Sequence, residues 1–154
     1  MATANLFRIA VAGVLAVSVL GYGVDGAGVN AQILDPKLKR QEAEKGLAED
    51  QLAAANKACG TEIAARFDWS TFDMKQAENF SVEAYCGEPL TALKGICGTE
   101  QGRQAVAAKV KGFVCKQGSE RKLSLNSDGT LEYSIDYSSV NDFEYVSTWL
   151  KKNL

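Results

Sequence analysis

Four cysteines, Cys59, Cys86, Cys97 and Cys115, constrain the fold of this 154-residue chain more than any other feature, because the N-terminus reads as an export signal. A basic start at the amino terminus and Arg8 precedes an uncharged apolar run from Ile9 to Leu20, and Val29-Asn30-Ala31 supplies the small residues that signal peptidase accepts. Cleavage is expected before Gln32, with a site near Ala27 or Gly28 as the alternative. The apolar run is short of the roughly 20 residues that span a bilayer, so no stable membrane span is expected after cleavage. An even cysteine count in an exported chain points to structural disulfides, and the location is read as secreted or periplasmic.

A metal or redox role for the thiols fits poorly. There is no CxxC, and with no histidine in the chain a zinc site would need all four thiolates from scattered positions. No metal and no cofactor are expected. Four cysteines allow three pairings. A continuous helix from Cys86 to Cys97 would hold those two about 16 Å apart, beyond disulfide reach, unless a break at Gly87 or Pro89 brings them together. A helix over 99–108 followed by a strand running back along it would bring Cys97 and Cys115 to the same end. The expected pairing is therefore Cys59 with Cys86 and Cys97 with Cys115, each bond worth about 3 kcal/mol.

Along the chain, Asp35-Pro36 opens a helix with a capping carboxylate and a proline where its missing N–H costs nothing. The segment 32–50 is charged and reads as a helical arm; residues 51–154 read as one domain, entered through the stripe Leu52, Ala55, Cys59 and Ile63. Ser81 and Pro89 open two short helices, 82–86 and 89–96, and Thr99 caps another that runs to Ala108. The period then becomes alternating. Strands are expected over 109–116, around Leu123 and Leu125, and through Leu131, Tyr133, Ile135 and Tyr137. A three-residue loop, Ser127-Asp128-Gly129, sets Leu125 against Leu131 and Leu123 against Tyr133, and places Gly129 where the turn needs a left-handed residue. At the C-terminus Asn141 caps a helix with Glu144 as the capping-box partner, and Phe143, Val146, Leu150 and Leu154 form its stripe. The predicted fold is α+β: N-terminal helices, a three-stranded antiparallel meander and a C-terminal helix packed on it, braced by two disulfides.

The missing histidines also remove Ser/His and Cys/His catalysis and histidine pH switching. Carboxylate chemistry survives that filter, with Asp68 and Asp73 or Glu132 and Asp136 as formal acid/base pairs. No phosphate loop or nucleophile elbow accompanies them. The densest aromatic segment, Phe67 to Phe72, reads either as a stacking platform at Trp69 and Phe72 or as core packing, and core packing is the expectation.

Seventeen basic and nineteen acidic residues leave a net charge of only -2, which marks no nucleic-acid binder. The balance is uneven, however. Seven basic residues lie between Lys94 and Lys122, and five acidic ones with no base between Leu123 and Glu144. Lys109, Lys111, Lys116, Arg121 and Lys122 are the candidate cationic face, to be weighed against neutralisation across paired strands. The function expected from these residues is a small exported non-catalytic module that binds an unknown protein or an anionic envelope component. A secreted hydrolase inhibitor is the alternative, and a carboxylate hydrolase a more remote one.

Overall fold

The computed structural model describes residues 35–138 and 143–154. The expected export signal and the Asn141 cap lie outside these residues. Helix α1 (Pro36–Gly46) starts where the sequence predicts, with the Asp35 carboxylate accepting the Lys37 N–H at 2.9 Å. It continues through a π-helical stretch, Leu47–Leu52, into α2 (Ala53–Cys59). The charged segment is exposed over most of its length, but it turns Ala43 and Leu47 into the core. Left-handed Gly60 (φ 65°) ends α2, so Ile63 lies beyond the helix rather than on its stripe. Asn56 holds Ile63 from both sides: its Oδ1 accepts the Ile63 N–H at 2.8 Å and its Nδ2 donates to the Ile63 carbonyl at 3.0 Å.

Strand β1 (Ala64–Phe67) follows, then the short α3 (Met74–Ala77) and the long α4 (Val82–Ile96). The two short helices expected at 82–86 and 89–96 are one, with Pro89 inside it. An interior proline costs about 3 kcal/mol. Burial of Val82, Cys86, Leu90 and Leu93 along one stripe offsets this, at about 1.5–3 kcal/mol for each large apolar side chain. Gly87 contributes differently: a Cβ there would lie 1.8 Å from Gln51 Oε1, so glycine lets the Gln51 side chain of the π-helical stretch lie directly against α4. The N-terminal helical run and α4 lie parallel. Gly46 sits beside Glu83, Gln51 against Gly87, and Cys59 is bonded to Cys97, the partners advancing together.

Helix α5 (Glu100–Lys109), capped by Thr99, leads into β2 (Gly112–Gln117), β3 (Lys122–Leu125) and β4 (Thr130–Ile135), and α6 (Phe143–Asn153) closes the chain. The α+β class and the two disulfides agree with expectation; the antiparallel meander does not. The sheet has four strands in the order β1-β2-β4-β3, with β1 parallel to β2, β2 parallel to β4, and only β3 antiparallel, to β4. Strand β4 enters between β2 and β3 because the β2–β3 connection passes over its end. Gly118 makes that crossing, its N–H donating to the Ile135 carbonyl at 2.9 Å, where a Cβ would lie 2.2 Å from Ser134 Oγ. The β3–β4 hairpin is as predicted: Leu125 opposes Leu131, Leu123 opposes Tyr133, and Gly129 has φ 86°.

The pairing of cysteines also differs. The bonds are Cys59–Cys97 and Cys86–Cys115. The expected Cys97–Cys115 pair assumed that β2 runs beneath α5, whereas α4 lies over β4 and its neighbour β2, and Cys86, in the second turn of α4, meets Cys115. Cys97 is left at the end of α4, where the parallel α2 ends at Cys59. Helices α1, α2, α5 and α6 pack on α4, giving one helical layer on one sheet. Between the layers lie Phe113, Leu131, Tyr133, Ile135, Leu90 and Leu93, all essentially buried, with Val146 and Leu150 of α6. Phe143, placed on the α6 stripe by its spacing, is half exposed instead.

Peptide mapping without reduction should return Cys59–Cys97 and Cys86–Cys115 peptides; a Cys97–Cys115 peptide would contradict this arrangement. Gly129→Ala should destabilise the domain by about 1 kcal/mol or more, since alanine resists positive φ. Its Cβ would also meet Lys111 Cγ at 2.7 Å. Gly46→Ala, whose Cβ would find an ordinary 3.4 Å contact, should be neutral or stabilising. Thermal denaturation of the two variants compares them.

Candidate functional site

Alternation along the strands assigns every sheet residue to one of two faces. Ala65, Phe67, Phe113, Cys115, Leu123, Leu131, Tyr133 and Ile135 face the helices. The other face is read directly from the register. One row across it is Ala64, Gly112 and Thr130; the next is Arg66, Val114, Glu132 and Ser124; the third is Lys116, Ser134 and Lys122. This face is polar or small-chained apart from Val114, and it carries two shallow depressions. One, of about 310 Å³, is lined by Ala64, Arg66, Gly112, Val114 and Thr130. The other, of about 270 Å³, is lined by Lys116, Lys122, Ser124, Glu132 and Ser134.

Glu132 organises the face. Its Oε2 accepts from Lys116 Nζ at 2.7 Å and its Oε1 from Asn126 Nδ2 at 3.1 Å. The hydrogen bonds from Lys116 and Asn126, with the nearby Lys116 and Arg66 charges, hold its carboxyl below the usual glutamate value. A carboxylate held ionised in this way serves as an ion-pair partner and not as a proton donor near neutral pH. Arg66 and Lys122, both exposed, flank it on opposite edge strands.

The five basic residues singled out from the sequence do not share a face. Lys116 and Lys122 lie on the open side of the sheet. Lys109 Nζ donates to the Asn153 carbonyl at 2.9 Å, and Lys111 Nζ donates to the Ala107 carbonyl, so both lysines satisfy carbonyls at helix C-termini. Arg121 stacks over the Tyr145 ring, 5.2 Å from its centroid, and its charge acts on Tyr133 beneath the helices. The Tyr133 hydroxyl donates to Glu88 Oε2 at 2.8 Å, and burial together with that carboxylate pushes its phenol far upward. Neutralisation across the sheet, weighed against a cationic face, is realised in the Lys116–Glu132 pair. Arg66 was not singled out from the sequence, because only the topology puts β1 beside β2.

The formal acid/base pairs are dispersed into local roles. Asp68 accepts the Ser70 hydroxyl, Asp73 caps α3 through the Lys75 N–H, and Asp136 accepts the Ser138 hydroxyl. Trp69 is engaged within the fold: Phe67 stacks on its ring at 4.6 Å, Arg40 lies over the ring at 5.6 Å, and the indole N–H donates to Glu44 at 2.7 Å. Among the described residues no three carboxylates or thiols gather as a metal site, and no helix is long and apolar enough to cross a membrane. Compared with protein-family models, curated proteins and solved structures, the chain matches none.

Because the Glu132 pKa is lower in the folded state than its free value of 4.5, the unfolded chain binds the proton more readily. The stabilisation is full above that value and is lost as pH falls through the lowered one. Lys116 and Glu132 are about a third exposed, so solvent screening limits the pair to about 0.2–1 kcal/mol. Glu132→Gln should therefore flatten the acid limb of the stability profile by that amount; superimposable limbs for the two proteins would contradict the assignment.

Proposed function

We propose that this protein is an exported, non-catalytic binding module whose open sheet face docks an acidic protein partner. The observation that carries this reading is a sheet side on which, among the described residues, no helix packs, in a sheet whose inner strand, β2, has parallel neighbours on both sides. All-parallel sheets are covered on both faces, and although this sheet is mixed its β1-β2-β4 part is parallel, so the face that the described helices leave open is suited to a partner. Its charge states the partner's chemistry: Arg66, Lys116 and Lys122 stand against the single carboxylate of Glu132. The two buried disulfides support export to an oxidising compartment.

Poly-L-glutamate titrated into the isotopically labelled protein tests the reading. Amide shifts should move at Arg66, Lys116, Lys122 and Ser134, and should fade with salt, since exposed charges act over about 8 Å at physiological ionic strength. Arg66→Glu with Lys122→Glu should abolish the response while preserving the circular dichroism spectrum. Reversal of the exposed Lys57 and Lys94 should leave the response intact. Shifts centred elsewhere, or equal responses in both reversal variants, would overturn the proposal. Tighter capture of phosphatidylglycerol vesicles than of poly-L-glutamate would also count against a protein partner.

A further inference from the structure

We infer that the partner docks as an added strand along β1, presenting an extended acidic segment to the edge of the sheet. This deepens the open-face reading and rests on it. In a parallel pair, a strand's residues alternate between those whose N–H and C=O point to the neighbour and those whose groups point away. The Asp68 N–H donates to the Cys115 carbonyl at 2.8 Å, which fixes that phase for β1. Arg66 therefore bonds to β2, while the backbone groups of Ala65 and Phe67 point outward from the edge. Among the described residues, β1 pairs with β2 alone, and no hydrogen bond reaches the outward groups of Ala65 and Phe67.

An unpaired strand edge is a template for another chain, with main-chain hydrogen bonds giving affinity and alternate side chains giving selectivity. Here the selectivity is for negative charge. Every second side chain of an added strand would lie on the open face next to exposed Arg66, and Lys116 stands one row further along β2. Ala64, Gly112 and Thr130 keep the adjoining surface low, in the 310 Å³ depression. A second copy of this chain is the poorer occupant, because antiparallel pairing of two β1 edges brings Arg66 of each copy toward the other and like charges across a pair repel.

A blocked hexapeptide of alternating Glu and Val, long enough to span the four residues of β1, is the probe. Amide hydrogen exchange at Ala65 and Phe67 should slow by about tenfold or more when it is added at saturation. A Lys/Val hexapeptide should give no such protection, nor should the Glu/Val peptide N-methylated on its bonding edge. Ala65→Pro, which removes an outward N–H without touching the β1–β2 ladder, should bind the peptide more weakly while keeping both disulfides. If the N-methylated peptide binds as well as its parent, or Arg66, Lys116 and Lys122 respond while the Ala65 and Phe67 amides do not, the edge inference fails and the open-face reading stands. No binding at millimolar peptide, protection at Leu123 and Leu125 instead, or slow exchange at Ala65 in a peptide-free dimer would each overturn it. Failure of poly-L-glutamate to perturb the face removes the underlying reading as well.

Discussion

Cys86 lies in the second turn of α4 and Cys115 within β2, and the bond between them sets where the helical layer sits on the sheet. Most of the remaining architecture follows from that position. With α4 seated over β4 and β2, the Tyr133 ring reaches upward to Glu88, and Leu90 and Leu93 are buried on the helix side of the sheet. The second bond then closes the layer, because Cys97 at the end of α4 meets Cys59 at the end of the parallel α2. A domain of this size buries a limited core, and two cross-links of about 3 kcal/mol each are a large share of a typical 5–15 kcal/mol net stability.

The same seat decides what the molecule presents to its surroundings. Among the described residues, the helices that pack on α4 gather on one side, so the opposite face is left to residues of the strands. Lys116 is partly neutralised by Glu132, while Arg66 and Lys122 sit at the two edges of the same surface. Other side-chain clusters are engaged in structural contacts: Trp69 meets Phe67, Arg40 and Glu44, and the exposed Lys109 and Lys111 donate to carbonyls at the ends of helices. The functional proposal therefore rests on the open face, where charge is not consumed by the fold.

Local chemistry was legible in the residues. The caps at Asp35, Ser81 and Thr99 appear where short polar side chains precede helical patterns, and the β3–β4 register followed from requiring one apolar face and a left-handed glycine. Strand order was not legible, because alternation names the faces of a strand and not its neighbours. Phe113, Cys115, Leu131 and Tyr133 share a face in the observed order and would share one in a meander too. The disulfide pairing failed for the same reason, since it was argued from a strand lying under α5. Gly118 is the residue that bears on the crossing, but a lone glycine after a strand also suits an ordinary turn. The site was half legible: Lys116 and Lys122 were in view, while Arg66 and the organising role of Glu132 depend on β1 and β4 flanking β2.

The account stands or falls on whether the second sheet face is open in the free protein. Methyl-proton relaxation by a soluble, neutral gadolinium chelate measures this directly on the reference pairs Ala64 with Ala65 and Thr130 with Leu131. Neighbours in each pair point to opposite faces. Strong relaxation of the Ala64 and Thr130 methyls, with Ala65 weaker and Leu131 unaffected, is the predicted result. Protection of Ala64 and Thr130 equal to that of Leu131 would show that the face is already covered, and would contradict the account.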